Sequence, residues 1–323
     1  MVKKIDLLNF KKHAKKEVFL DNKIVLIHGK NGSGKTSILE ALSLFNSGKG
    51  IFNLQNENLI SNQKNFFNIQ LFTENANFIV KYQNKKKEIF INNSLSSSSN
   101  LLEHISILGL TPYNSLGFWF DVSLRRKMFN RAILQHYPSY GTFYSKYNKA
   151  LKQRNLLINN STFNYNWEKV LDPIIKENGL KINKIRDDFI KKINNFNNQL
   201  IYDFLKENVS IIIDPSFEEQ EKILLQPLPN NFIGPHLSKF YLKTNESGLS
   251  TGQQRKALLS FFLISLNLSL DKNNLLLLDD VFANLDDQNM YDFINLLDSQ
   301  NIQTVITHTC KIDHPKIKNI ELS

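Results

Sequence analysis

No other stretch constrains this chain as tightly as GKNGSGKT, Gly29 to Thr36. It matches the phosphate-loop pattern G-x-x-x-x-G-K-[ST] in full, and that loop works only between a buried strand and the start of a helix. Both flanks are present. Ile24 to Ile27 is a short apolar, β-branched run, and Ile38, Leu39, Leu42 and Phe45 recur afterwards at helical spacing. Gly29, Gly32 and Gly34 let backbone N–H groups turn toward phosphates. The helix that follows presents its positive dipole end to the same anion. Lys35 is expected on the β- and γ-phosphates, and Thr36 is expected to hold Mg²⁺ through its hydroxyl. The candidate ATP-binding run is Gly29, Lys30, Asn31, Gly32, Ser33, Gly34, Lys35, Thr36 and Ser37.

The rest of the chain is read around that anchor. Up to about Asn93, short alternating pieces such as NFIVKY and KEIFIN predict a small antiparallel sheet. The low-complexity NNSLSSSSN reads as a loop. From Leu101 to about Asn208 the apolar residues fall three and four apart, a helical pattern that never keeps a strict heptad for long. VSIIIDP and SKFYLKTN return to strand character. A helix start at LSTGQQRKALL, a strand NLLLLDD, a helix around Met290 to Leu297 and a strand QTVITHT follow. This order predicts one α/β lobe, residues 1–104 plus 228–323, interrupted by a mainly helical lobe over 105–227.

LLLLDD, Leu275 to Asp280, has the continuous apolar run of a strand buried in a parallel sheet. Open α/β sheets bind ligands at the carboxyl ends of their strands. Asp279 is therefore placed to orient Mg²⁺ or its waters, and Asp280, one residue on, to polarise an attacking water. VITHT ends a further apolar strand with His308, within reach of a γ-phosphate if the strand lies in the same sheet. Ser250 is a natural N-cap, and with the free N–H groups of its helix it forms an anion site whose approach Gly252 keeps open.

Composition narrows the partners. The formal net charge is +10, from 40 Lys+Arg against 30 Asp+Glu, which favours an anionic partner such as nucleic acid. Candidate phosphate contacts are Lys11, Lys12, Lys15 and Lys16 near the first hairpin, and Arg125, Arg126, Lys149, Lys152 and Arg154 in the helical lobe. The single cysteine, Cys310, fits a reducing compartment. No signal-peptide core opens the chain. Its most apolar run, Ala257 to Leu270, is shorter than the ~20 residues of a spanning helix. A cytoplasmic protein without membrane association is expected.

Taken together, GKNGSGKT, LSTGQQ, LLLLDD, NLD (Asn284 to Asp286) and His308 resemble the ABC-type ATPase head. Several details are more specifically similar to the RecF family of bacterial recombination proteins. These are the opening LLNFKKH, the Thr-Pro of TPYNSLGFWFDVSLRRKMFN with its Arg125–Arg126 pair, ALKQRN (Ala150 to Asn155) and GPHLSKF. The resemblance covers nearly the whole chain. It implies an α/β, ABC-type P-loop ATPase head with an inserted helical second lobe and no long coiled coil.

The same resemblance implies that Ser250, Gly252 and Gln253 serve the ATP of a second subunit, with Asp286 in the dimer loop. Two chains would then close head to tail around two ATP molecules and Mg²⁺. The family grips double-stranded DNA near single-strand gaps and helps RecO and RecR load RecA in repair, replication restart and the SOS response. Its slow hydrolysis triggers release; in this chain Lys35, Asp279, Asp280 and His308 are the expected catalytic set, His308 being more like other ABC heads than like many members of the RecF family. The chain departs from the pattern at Asn130, where an acid is frequent, at NLD, where ELD is frequent, and before Thr111, where ISILGL lacks the Gln of many ABC heads.

Three rival classes share parts of this pattern. Transporter ATPase subunits place their signature much closer to the P-loop. SMC-like clamps insert hundreds of coiled-coil residues at this point. The ATPase of a phage-defence pair could share the head, and a toxic effector partner would distinguish it.

Overall fold

The computed structural model describes residues 1–46, 50–52, 54–159, 165–196, 199, 210–243, 250–269, 271–281 and 287–322. The chain divides into two compact units, one from the described residues of 1–117 and 246–323, the other from those of 118–197 and 208–245.

The first unit begins with the hairpin of β1 (Val2–Phe10) and β2 (His13–Phe19). β3 (Ile24–His28) then leads through the glycine loop into α1 (Lys35–Ser43). β4 (Phe66–Thr73), β5 (Asn77–Gln83), β6 (Lys86–Ile91) and β7 (Ser94–Ser96) complete an antiparallel sheet of order β2-β1-β4-β5-β6-β7. Its inward face follows the period of two: the buried Phe67, Ile69 and Leu71 alternate with less buried neighbours on β4, as Phe78, Val80 and Tyr82 do on β5. The serine run expected as a loop instead contains β7 and the start of α2 (Ser98–His104). Ser97 accepts the Asn100 N–H as N-cap, so the run starts a helix.

β8 (Ile105–Leu110) is buried at all six positions, and α3 (Pro112–Phe120) follows it. The second unit is built from α4 (Val122–His136), α5 (Pro138–Asn159), α6 (Tyr165–Asn194), β9 (Ser210–Asp214), α7 (Phe217–Leu225) and β10 (Lys239–Lys243). α5 packs on α6, and β9 pairs antiparallel with β10. Phe129 of α4 stacks on Phe240 of β10 with ring centroids 4.7 Å apart. Among the described residues the fully buried Arg186 donates to neutral acceptors, namely Tyr140 Oη, Asn130 Oδ1, Ser238 Oγ and the Pro235 carbonyl.

The chain then returns to the first unit with α8 (Thr251–Asn267), β11 (Asn273–Asp279), α9 (Asp287–Ser299), β12 (Gln303–His308) and β13 (Ile317–Glu321). The second sheet is wholly parallel, of order β13-β3-β12-β11-β8. α1 and α8 pack against it, so Leu275 to Leu278 are completely buried. The expected lobe boundaries shift accordingly. The expected helical lobe includes β8, which instead pairs with β11, and residues 228–243 fall with β9 and α7 in the second unit. Among the described residues no helix is long and apolar enough to cross a membrane.

Candidate functional site

Four parallel strand ends converge on the site. β3 delivers the glycine loop, with Gly29 at φ 151° and Gly34 at φ 100°. A Cβ on Gly29 would stand 2.2 Å from the Leu322 carbonyl oxygen, so the loop's first turn admits only glycine. Lys35 Nζ reaches back to the carbonyls of Gly29 (2.6 Å) and Lys30 (3.0 Å) and fixes the loop's curvature. Gly34 is the N-cap of α1 and no side chain caps that helix, which leaves its first N–H groups for an anion. Ser33 Oγ is buried in the loop without a partner among the described residues. A cavity of about 400 Å³ opens here, lined by Asn31, Lys35, Thr36, Ser37, Asp279 and Asp280 among others.

β11 delivers the acids. Asp279 Oδ1 accepts from Thr36 Oγ1 at 3.1 Å and from Thr307 Oγ1 at 2.7 Å. Burial holds this carboxyl above the usual range, and the charge of Asp280 adds to the rise. The two hydroxyls and Lys35 oppose it. Thr36 and Asp279 thus place two oxygens together in the way Mg²⁺ is held in phosphate sites, by one or two protein oxygens with the remainder from phosphate and water. Asp280 adopts a left-handed φ of 49°, and its N–H donates to Thr307 Oγ1 (3.1 Å) and to the Thr307 carbonyl (3.2 Å). Its carboxylate meets His308 Nδ1 at 3.3 Å. Asp279, Asp280 and His308 therefore come together with the loop.

Thr307 is a site residue that the motifs in the sequence do not single out. Asp279 and Thr307 are register partners in the β11–β12 ladder. The available signal was a hydroxyl one position before His308 in VITHT, at the end of an apolar strand parallel to LLLLDD.

The basic residues expected on DNA separate into different groups. Arg125 is 6% exposed, donates to the Phe118 and Trp119 carbonyls and lies over the Tyr241 ring. Arg154 is 1% exposed and is held by Asp172 (2.9 Å) and the carbonyls of Leu228 and Asn230. Both are buried cations held by partners within their own unit. Lys11 is committed to the buried carboxylate of Glu40 on α1 at 2.6 Å. Lys12 lines the phosphate cavity, its Cε lying 2.4 Å from where a Gly34 Cβ would be. Arg126 is half-buried and donates to the Ser238 carbonyl, whereas Lys15, Lys149 and Lys152 are exposed.

Ser250 caps α8 through a reciprocal box. Its Oγ accepts the Gln253 N–H at 3.3 Å, and Gln253 Oε1 accepts the Ser250 N–H at 2.8 Å. Nothing crowds Gly252. Asp286 and Asn284, expected in the dimer loop, lie outside the described residues.

A glycine loop on a parallel sheet, an acid strand two positions away and a separate capped signature helix define the ABC-type P-loop ATPase head. The family model for the RecF/RecN/SMC N-terminal domain matches residues 1–316, and the chain belongs to that family. Among its relatives, the DNA replication and repair protein RecF of Rickettsia typhi is 26% identical over 337 residues, covering 94% of this chain and 93% of the relative. The solved recombination mediator protein RecF with ATPrS, of the RecFOR pathway, superposes with a TM-score of 0.84 at 22% identity, over 100% of this chain and 96% of that one. RecF with ATP gives 0.79 at 24% identity, over 97% and 94%. At those identities the structures establish the shared fold.

Proposed function

We propose that the chain is an ATP-dependent switch of recombinational DNA repair, with weak ATPase activity at the Lys35–Thr36–Asp279–Asp280 site. Two chains close head to tail on double-stranded DNA beside single-strand gaps, each giving Ser250, Gly252 and Gln253 to the partner's ATP. The closed pair works with RecO and RecR to load RecA, and hydrolysis opens it. The observation that carries this reading is Thr36 and Thr307 converging on Asp279 beside an uncapped helix start, an arrangement suited to Mg–triphosphate. Mg²⁺ held by Thr36 and Asp279 would neutralise charge on the β- and γ-phosphates. The naming of the relatives as DNA replication and repair proteins supports the process.

The test is light scattering with and without ATP, on wild type and on Ser250→Arg. The wild type should dimerise only with ATP. The variant should stay monomeric while still binding nucleotide. A wild type that is monomeric at saturating ATP would remove the trans site. Binding to gapped DNA that ignores ATP would remove the switch.

A further inference from the structure

Asn183 of α6 is 5% exposed, and neither its Oδ1 nor its Nδ2 has a partner among the described residues. A buried amide left in that state is destabilising, and folded proteins rarely keep one. Gln220, the buried amide of α7, does not relieve it, being committed to the Pro215 carbonyl and to Ser238 Oγ. Asn183 stands instead in the wall of a groove of about 380 Å³ between α6 and α7. The two helices touch where a Cβ on Gly179 would stand 3.0 Å from Leu224 Cδ1. Beyond that contact, Leu180, Lys184 and Asp187 line one wall, and Phe217 and Glu221 line the other. From Leu180 to Asp187 the wall runs about 10 Å, the length of about three residues of extended chain.

What such an amide holds is seen further along the same helix. Asn194 lies eleven residues on, about three turns and so on the same face of α6. Its Oδ1 accepts the Ile211 N–H at 2.8 Å, and its Nδ2 donates to the Ile211 carbonyl at 3.1 Å. An extended strand turns the N–H and C=O of one residue to the same side, and one carboxamide satisfies both. Asn194 is filled by β9. Asn183 offers the same pair of atoms on the same face.

Charge selects the kind of chain. Lys181 is paired with Glu177 and Asp187 with Lys191, which leaves Lys184 and Glu221 as the groove's charges without an ion pair among the described residues. One charge of each sign, with the half-buried Leu180 and Phe217 in the same walls, suits a polypeptide and not a polyanion such as DNA. We propose that this groove docks an extended segment of a partner protein, whose main-chain N–H and C=O pair with Asn183 as those of Ile211 pair with Asn194. The segment sets an apolar side chain against Leu180 and Phe217, and carries an acid toward Lys184 and a base toward Glu221. The site lies within the second unit and is independent of the trans reading of Ser250.

Phage-displayed random dodecapeptides panned on the full chain supply the probe, and the anisotropy of a labelled selected peptide reports its affinity. Asn183→Leu keeps the shape of the side chain and removes the amide. It should weaken the peptide at least about tenfold, because two sheltered hydrogen bonds are lost. Its urea midpoint should equal or exceed that of the wild type, whereas Asn194→Leu, which deprives β9 of its partner, should lower the midpoint. Lys184→Glu should weaken the peptide about two- to fivefold, and exchanging the peptide's acid for lysine should restore the loss. A library that yields no binder, or binders that hold Asn183→Leu as tightly as the wild type, would overturn the proposal. So would a midpoint that falls in Asn183→Leu as it does in Asn194→Leu, since the amide would then be used within the fold. Displacement of the peptide by a short DNA duplex would assign the groove to nucleic acid and overturn it as well.

Discussion

Thr307 shows how much of the chemistry depends on single hydroxyls. Its Oγ1 donates to Asp279 and accepts from the Asp280 N–H, so one side chain sets the position of both acids. Thr307→Val keeps the shape and removes both bonds. Hydrolysis at saturating Mg-ATP should fall at least tenfold, and unfolding should move by only about 1–2 kcal/mol, read from kcat and urea melts on the same preparation. His236 carries a second prediction at this scale. Burial, reinforced by Arg126 and Arg186, lowers its pKa to about 4, and Tyr147, whose own proton is held more tightly by burial, meets its Nδ1 at 2.6 Å. The unfolded chain takes up this proton near pH 6.5 and the folded chain does not. Stability is therefore fully present above pH 6.5 and falls as pH drops toward about 4, by up to about 3 kcal/mol. Urea midpoints at pH 7 and pH 5 should differ less in His236→Asn than in the wild type. Gly29 to Ser37 are legible because the loop's contacts are local in sequence, and Asp279 because it ends a continuous apolar run. Thr307 is not, because its partner is fixed by the register of strands far apart in the chain.

The P-loop, the hairpin and the acid strand are locked as elements. Lys11, Lys12 and His13 in the β1–β2 turn lie against Glu40, Gly34 and the Gly34 carbonyl in that order. A Gly34 Cβ would stand 2.4 Å from Lys12 Cε and 2.6 Å from His13 Nε2, at a φ that L-residues avoid. Lys12 can swing away, but His13 is 8% exposed and cannot. Gly34→Ala should cost at least about 1 kcal/mol and abolish nucleotide binding. Adding Lys12→Ala should restore neither, and adding His13→Ala should restore part of the stability, as thermal melts and titration with a fluorescent ATP analogue would report. At this scale the sequence was readable wherever an apolar run or a helical period stood alone. β8 was absorbed into the helical region because a strand buried on both faces has no alternation to distinguish it from a helix segment. The serine run concealed α2 because serine at a helix start and serine in a loop look alike in one dimension.

For the whole molecule, the excess of positive charge says less than its distribution. Arg125 and Arg154 are buried and Lys11 is paired with Glu40, so on the proposed reading exposed cations are the better candidates for phosphate contact. What α5 does expose is Lys146, Lys149 and Lys152, spaced by three along one helix. On the proposed reading this stripe meets phosphates. Reversing Lys149 and Lys152 to Glu should weaken binding to gapped duplex and flatten the log–log salt dependence by about 0.9 for each phosphate left without its cation, with the thermal midpoint unmoved. Arg154→Ala should do the opposite. It strands Asp172 and two carbonyls, so unfolding should be easier by about 3–5 kcal/mol, while the protein that remains folded keeps its salt slope. Sequence alone put Lys152 and Arg154 in one group, two residues apart in ALKQRN. Measuring slope and stability on both variants separates them. A salt slope that responds to Arg154 but ignores the stripe would mean that DNA is held elsewhere on the molecule.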